Sequence, residues 1–140
     1  MLNLQKLREE HAELVEIVGR LGAVVAGPKS PPIVELFNLR RELSSTLVAH
    51  LKAEDWALYP RLMASDDPDT AARAKGFSHE MGGLGAAYNL YAQRWDALSI
   101  AANWSGFCHE SREIINALTT RIVRENRDLY PLFEALDKAA

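Results

Sequence analysis

His50 and Glu54 lie four residues apart in the stretch "HLKAEDWALYP", residues His50–Pro60. Residues four apart are turned by only about 40° around an α-helix, so an imidazole and a carboxylate there share one face and suit one metal ion. The phrase recurs as "RIVRENRDLYP", where Glu125, Leu129, Tyr130 and Pro131 match Glu54, Leu58, Tyr59 and Pro60. Its first position differs, with Arg121 in the place of His50. A guanidinium has only donors and a permanent charge, so it pairs with carboxylates but ligates no metal. His11 and His79 fall on further stripes that periodicity places inward, as do His50, Glu54, Arg121 and Glu125. Buried carboxylates beside neutral imidazoles suit a divalent or trivalent cation, and iron, manganese and zinc all accept such donors. The residue types leave a second arrangement open, in which Arg121 pairs with Glu54 or Glu125 and stands in for a metal. His109 lies twelve residues before Arg121, about 120° off that face, and is expected at the surface or as a cap. Tyr59 and Tyr130 are expected to pack near the carboxylates with hydroxyls in reach, and Trp56, Trp95 and Trp104 to fill space.

Four long elements must position these groups, and all read as helices. Leu4, Leu7, Leu14, Val18 and Leu21 recur every three or four residues between about Asn3 and Ala26, with His11 in their stripe. After "GPKSPP" a second helix is predicted from Pro32 to Met63, carrying Leu36, Leu39, Leu43, Leu47, His50, Glu54 and Leu58 on one face. A third, from Thr70 to Leu98 and capped by Asp69 or Thr70, contains the glycine-rich "HEMGGLGAA" after a turn at "SDDPD". A fourth runs from a Ser105 cap to about Leu136, with Phe107, Ile114, Leu118, Arg121 and Glu125 inward. Pro60 and Pro131 should kink or end the second and fourth helices. The expected fold is all-α, an antiparallel up-down-up-down four-helix bundle forming one domain over residues 1–140.

Composition narrows the partners. Of 140 residues, 48% are apolar and 25% charged, which suits one globular domain with a real core. The net charge of −3 comes with scattered Lys and Arg, so no basic face is expected to meet nucleic acid. Apolar runs stay short of the ~18 residues of a membrane span, and "MLNLQKLREEHAEL" lacks the apolar core of a signal peptide. The cytoplasm is the expected location. Cys108 is alone, so it is expected to pack as a small apolar residue.

In order, these residues resemble a known set, that of the hemerythrin-like, or HHE cation-binding, domains. Their pattern is a histidine on the first helix, H-x-x-x-E on the second, a histidine on the third and H-x-x-x-E, or a longer-spaced Asp, on the fourth. Here it falls on His11, His50 with Glu54, His79, and Arg121 with Glu125, and "ALYPRL" and "DLYPLF" match the family's Phe-Pro or Tyr-Pro phrase. The resemblance spans nearly the whole chain. It implies two carboxylates bridging two non-heme irons, with His11, His50, Glu54, His79 and Glu125 as the metal residues. Such domains bind oxygen, sense oxygen, nitric oxide or iron, or take part in nitrosative-stress chemistry. This chain departs from the pattern at Arg121 and at Gly83, where oxygen carriers have a histidine. The departures imply a mononuclear or incomplete di-iron centre and a sensing or handling role rather than oxygen carriage. The implied small partner is a diatomic molecule or peroxide; a protein partner or a second copy stays open. No catalytic motif stands apart from the metal set, so an enzymatic role is not the preferred one. The alternative is a metal-free regulatory or interaction bundle in which Arg121 supplies the charge.

Overall fold

Asn3 accepts the amide of Lys6 at 3.1 Å and opens the first helix, α1 (Leu4–Val25), in the computed structural model, which describes residues 2–139. Its stripe of Leu7, His11, Leu14, Ile17, Val18, Leu21 and Val25 is buried, the period that amphipathicity requires. α2 (Ile33–Ala53) follows and buries Leu36, Leu39, Leu43, Leu47, His50 and Leu51. It runs into a π-turn, Glu54–Leu58, and then α3 (Tyr59–Met63). The same sequence phrase gives the same geometry again, because α7 (Trp104–Arg124) passes into a second π-turn, Glu125–Leu129, and α8 (Tyr130–Ala139).

Proline explains both turns. Pro60 and Pro131 have no N–H to donate, and their rings crowd the carbonyl four residues back. The chain widens by one residue instead, with the amide of Tyr59 bonded to the Glu54 carbonyl and that of Tyr130 to the Glu125 carbonyl. The expectation that these prolines kink or end the helices is therefore refined: the helical path continues through a wider turn. In a regular α-helix a residue five further on is turned about 140° away. A turn closed over five residues brings Tyr59 back toward the side of Glu54, and Tyr130 toward that of Glu125.

Between α3 and α7 the chain differs from the expected single helix. α4 (Pro68–Met81) is capped by Asp67, with Pro68 in the first turn, rather than by Asp69 or Thr70. It stops at Gly82, where an added Cβ would lie 2.4 Å from the Ser78 carbonyl oxygen. α5 (Leu84–Arg94) and the short α6 (Ala97–Ala102) complete the segment. Asn103, not Ser105, caps α7 by accepting the Gly106 amide at 2.9 Å.

Cross-helix contacts set the directions. α1 meets α2 at His11–His50, with ring centres 4.7 Å apart, and again at Arg20–Glu42, 2.6 Å, so the two run antiparallel. α1 and α7 are antiparallel too, joined by His11–Glu125 at 3.0 Å and by Arg112 donating to the Val25 carbonyl at 3.2 Å. Ser44–Tyr88 at 2.5 Å ties α2 to α5, and Tyr91–Ser111 at 2.6 Å ties α5 to α7. No strand occurs among the described residues, and none of their helices is long and apolar enough to cross a membrane.

The apolar core is in two parts. One cluster gathers Leu14, Leu21, Leu36, Leu43, Leu47, Tyr91, Phe107 and Leu118 with their neighbours; Cys108 packs into it as expected. The other holds Leu7, Leu58, Tyr59, Leu62, Phe77, Leu129, Tyr130 and Phe133. Between them lie His11, His50, Glu54, Arg121 and Glu125, none more than 2% exposed. Charged groups are almost never buried so completely unless paired.

Candidate metal centre

His50 occupies the last turn of α2, and its Nδ1 lies 2.9 Å from the Glu10 carboxylate on α1. His11 on α1 places Nδ1 2.7 Å from the side-chain oxygen of Asn126. Both acceptors hold a proton on Nδ1, which leaves each Nε2 lone pair facing inward, the arrangement of metal-binding histidines. His11 Nε2 is 3.0 Å from Glu125 Oε1 and 2.9 Å from the Tyr130 hydroxyl. His50 Nε2 faces Glu54 Oε1 at 3.2 Å but has no hydrogen-bond partner. It is the one such orphan among the buried side-chain nitrogens and oxygens of the described residues.

The carboxylates are shared. Glu54 Oε2 accepts the Tyr130 hydroxyl at 2.6 Å, while Glu125 Oε2 accepts the Tyr59 hydroxyl at 2.8 Å and Arg121 Nε at 3.0 Å. Each tyrosine of the repeated phrase thus braces the glutamate of the other copy. One terminal nitrogen of Arg121 donates to Glu54 Oε1 at 3.1 Å and to Asp55 at 2.7 Å, the other to the Met81 carbonyl at 3.1 Å. Its guanidinium carbon also lies 5.2 Å from the centre of the Tyr59 ring.

Without a cation these groups hold protons unusually. Burial alone would lower the His11 pKa, but its bond to Glu125, the Glu54 carboxylate 3.7 Å away and its bond to Asn126 outweigh it and lift it to about 9. Burial likewise opposes, and Glu54 and Glu10 reverse, the change at His50, which is raised. Burial would raise Glu54, yet the imidazoles of His11 and His50 close beside it hold it well below the usual carboxylate range. Burial, then the charge of Glu54, pushes Glu125 up to about 7. Desolvation of the Arg121 guanidinium is overcome by Glu125 and Glu54, which raise it further. The centre is a charge-balanced polar layer that a metal would enter by displacing protons.

The residues present fit one cation. His11, His50, Glu54 and Glu125 each offer a ligand atom, and these atoms lie within 4.8 Å of one another. Bonds of ~2.0–2.2 Å at right angles put neighbouring ligand atoms ~3 Å apart, and the imidazole–carboxylate distances here are 3.0 and 3.2 Å. The orphaned His50 Nε2 gains its partner in that arrangement. The Arg121 guanidinium already bonds both carboxylates, at Glu125 Oε2 and at the Glu54 Oε1 that His50 also faces, so a second cation would have to displace it.

His79 requires a correction. The inward face of α4 is Thr70, Ala74 and Phe77, which leaves His79 exposed and outside the cluster. Helical phase decides this, since two residues beyond Phe77 the helix has turned about 200°. His109 is exposed as expected, paired with Glu113 at 2.9 Å. Trp56 does not fill core space, being 74% exposed on the first π-turn. Glu10, Asn126 and Asp55 escaped the sequence reading: each adjoins a candidate ligand in sequence, and adjacency on a helix puts a residue about 100° off the ligand's face. A cleft of about 630 Å³ between the α4–α5 break and α7, lined in part by Gly83, Leu84, Ala117 and Thr120, reaches Arg121.

The comparisons agree with this geometry. No curated protein and no solved structure matches the chain. The family model for the hemerythrin HHE cation binding domain matches residues 2–133, taking in both copies of the repeated phrase and all four clustered donors. Family and site point the same way, and the chain belongs to the hemerythrin HHE cation-binding domain family.

Proposed function

We propose that this protein binds a single non-heme iron through His11, His50, Glu54 and Glu125 and senses or handles oxygen, nitric oxide or iron rather than carrying oxygen. The observation that carries the metal reading is the buried His50 Nε2, held inward by Glu10 and left without a partner. The family match supports cation binding, and the two carboxylates and two imidazoles are donors that iron accepts. The antiparallel helix pairs support an up-down-up-down four-helix bundle as the frame.

Bound there, iron would supply one-electron chemistry and open positions for a diatomic ligand or peroxide. The chain's own residues set the conditions. Glu10 and Asn126 orient the two rings, Tyr59 and Tyr130 steady the carboxylates, and the apolar clusters on either side exclude water. Arg121 neutralises charge on Glu54 and Glu125 and repels a second cation. Carriage that depends on two irons has no second set of histidines to rest on.

The four hydrogen bonds of Arg121 favour a second reading, a metal-free regulatory or interaction bundle with Arg121 as its permanent cation. Iron per chain after anaerobic ferrous loading separates the two. The expected result is about one iron in the wild type and a rise toward two in Arg121→His, which restores the second H-x-x-x-E. A wild type holding two irons would sink the claim that Arg121 displaces one. No iron in either protein establishes the metal-free reading.

A further inference from the structure

Tyr130 stands at the centre of the cluster, although histidine–glutamate spacing does not mark it as a metal donor. Its hydroxyl oxygen lies 2.9 Å from His11 Nε2 and 2.6 Å from Glu54 Oε2. Those are the separations expected between neighbouring ligand atoms on one metal, ~3 Å. The ring is fully buried and lies against His11, nearly parallel at 8° with centres 4.8 Å apart, so the oxygen has little freedom to move away. Tyr59, the matching residue of the other copy, is placed differently. Its hydroxyl bonds Glu125 Oε2, the oxygen that also accepts from Arg121, on the guanidinium side of the carboxylate.

We propose that Tyr130 is a further ligand of the metal centre and makes it a site for a trivalent cation. The proposal rests on the single-metal reading above and names the oxidation state that reading leaves open. Charge supports it. Glu10, Glu54, Asp55 and Glu125 against Arg121 leave three negative charges in contact with the site, so a divalent ion leaves the layer at −1 and a trivalent ion balances it. In a core flanked by two apolar clusters an uncompensated charge is costly, so the layer favours the trivalent ion, whose stronger pull on a bound oxygen displaces the phenol proton. On direct loading with ferric ion no electron moves: the metal–oxygen bond forms, the phenol O–H bond breaks, and the proton leaves to solvent. With a divalent ion the phenol keeps its proton and continues to donate to Glu54.

The test loads the full chain with ferric nitrilotriacetate and records iron per chain and visible absorption for wild type, Tyr130→Phe and Tyr59→Phe. The expected result is a phenolate-to-iron charge-transfer band in wild type and Tyr59→Phe that bleaches on reduction to ferrous. Tyr130→Phe should hold ferric ion with the band reduced at least tenfold. A full band in Tyr130→Phe, or its absence from iron-loaded wild type, overturns the proposal. If Tyr130→Phe takes up no ferric ion, ferrous loading decides: retained ferrous binding supports a ligand specific to the trivalent ion, and loss of both overturns it in favour of a packing role. A wild type that binds no iron shows zero metal per chain, which fells the metal reading itself and this proposal with it.

Discussion

Glu10 and Asn126 stand next to candidate ligands in sequence, yet each serves the histidine it does not adjoin. Glu10 immediately precedes His11 but holds His50, and Asn126 neighbours Glu125 but holds His11. Fixing the ring that way selects the Nε2 lone pair for the centre and makes the imidazole a better donor. Partners of this kind change metal affinity ~10–100-fold when removed. Glu10→Ala should therefore weaken iron binding by about that range, because Glu10 accepts the Nδ1 proton of His50. His79→Ala should leave affinity unchanged, since His79 is exposed away from the cluster. Competition with a ferrous chelator measures both. Equal loss in the two variants would mean that the α4 face is wrongly assigned.

Among the elements, the π-turns and the broken third helix define the centre. Glu54 and Glu125 begin their turns, so the residues after them leave α-helical phase; Asp55 thereby meets Arg121, and the tyrosines cross to the opposite glutamates. Arg121 then ties α7 to the first π-turn and, through the Met81 carbonyl, to the end of α4. Removing the guanidinium leaves buried carboxylates without their cation, a change that costs ~3–5 kcal/mol where such pairs are broken. Arg121→Met should lower metal-free stability by about that amount, seen in urea unfolding at neutral pH. A loss under about 1 kcal/mol would show that protons on the carboxylates and histidines already balance the layer without Arg121.

For the molecule as a whole, two apolar clusters stabilise the fold while the layer between them makes stability depend on pH. His11 is lifted from 6.5 to about 9 by its carboxylate neighbours against the opposing effect of burial. Its contribution is complete below the unfolded value and is lost as pH rises through about 9. Glu125, raised by burial and Glu54 from 4.5 to about 7, acts in the same sense at lower pH. Glu54 is held low by the histidines against its own burial, so its contribution disappears only in acid. The metal-free protein should accordingly have a lower urea midpoint at pH 9.5 than at pH 6. A midpoint that rises over that interval would contradict the protonated histidine.

Helical spacing was enough to place His11, His50, Glu54, Arg121 and Glu125 inward, because a residue's phase relative to the leucines beside it is local information. The Glu54–Arg121 and Glu125–Arg121 pairs were legible as one of two alternatives, since a fixed positive charge on a buried stripe must find carboxylates. The third helix was misread at His79, where the glycines after it hid the phase and Phe77 set the true inward face. Caps fell two residues from where they were expected at α4 and α7, as Asp67 and Asn103 took those roles.

By itself, then, the sequence determined the helical class, the inward polar layer and the arginine that stands opposite His50 in the repeated phrase, through residue type, repetition and a period of 3.6. Only the tertiary structure decided that Glu10 and Asn126 hold the opposite histidines, that Asp55 joins Arg121, and that Tyr130 rather than Tyr59 meets His11. These contacts join residues 40 to 119 positions apart. Helix phase cannot report them, because they depend on which turns of different helices come to the same level and on π-turns that reset the phase between.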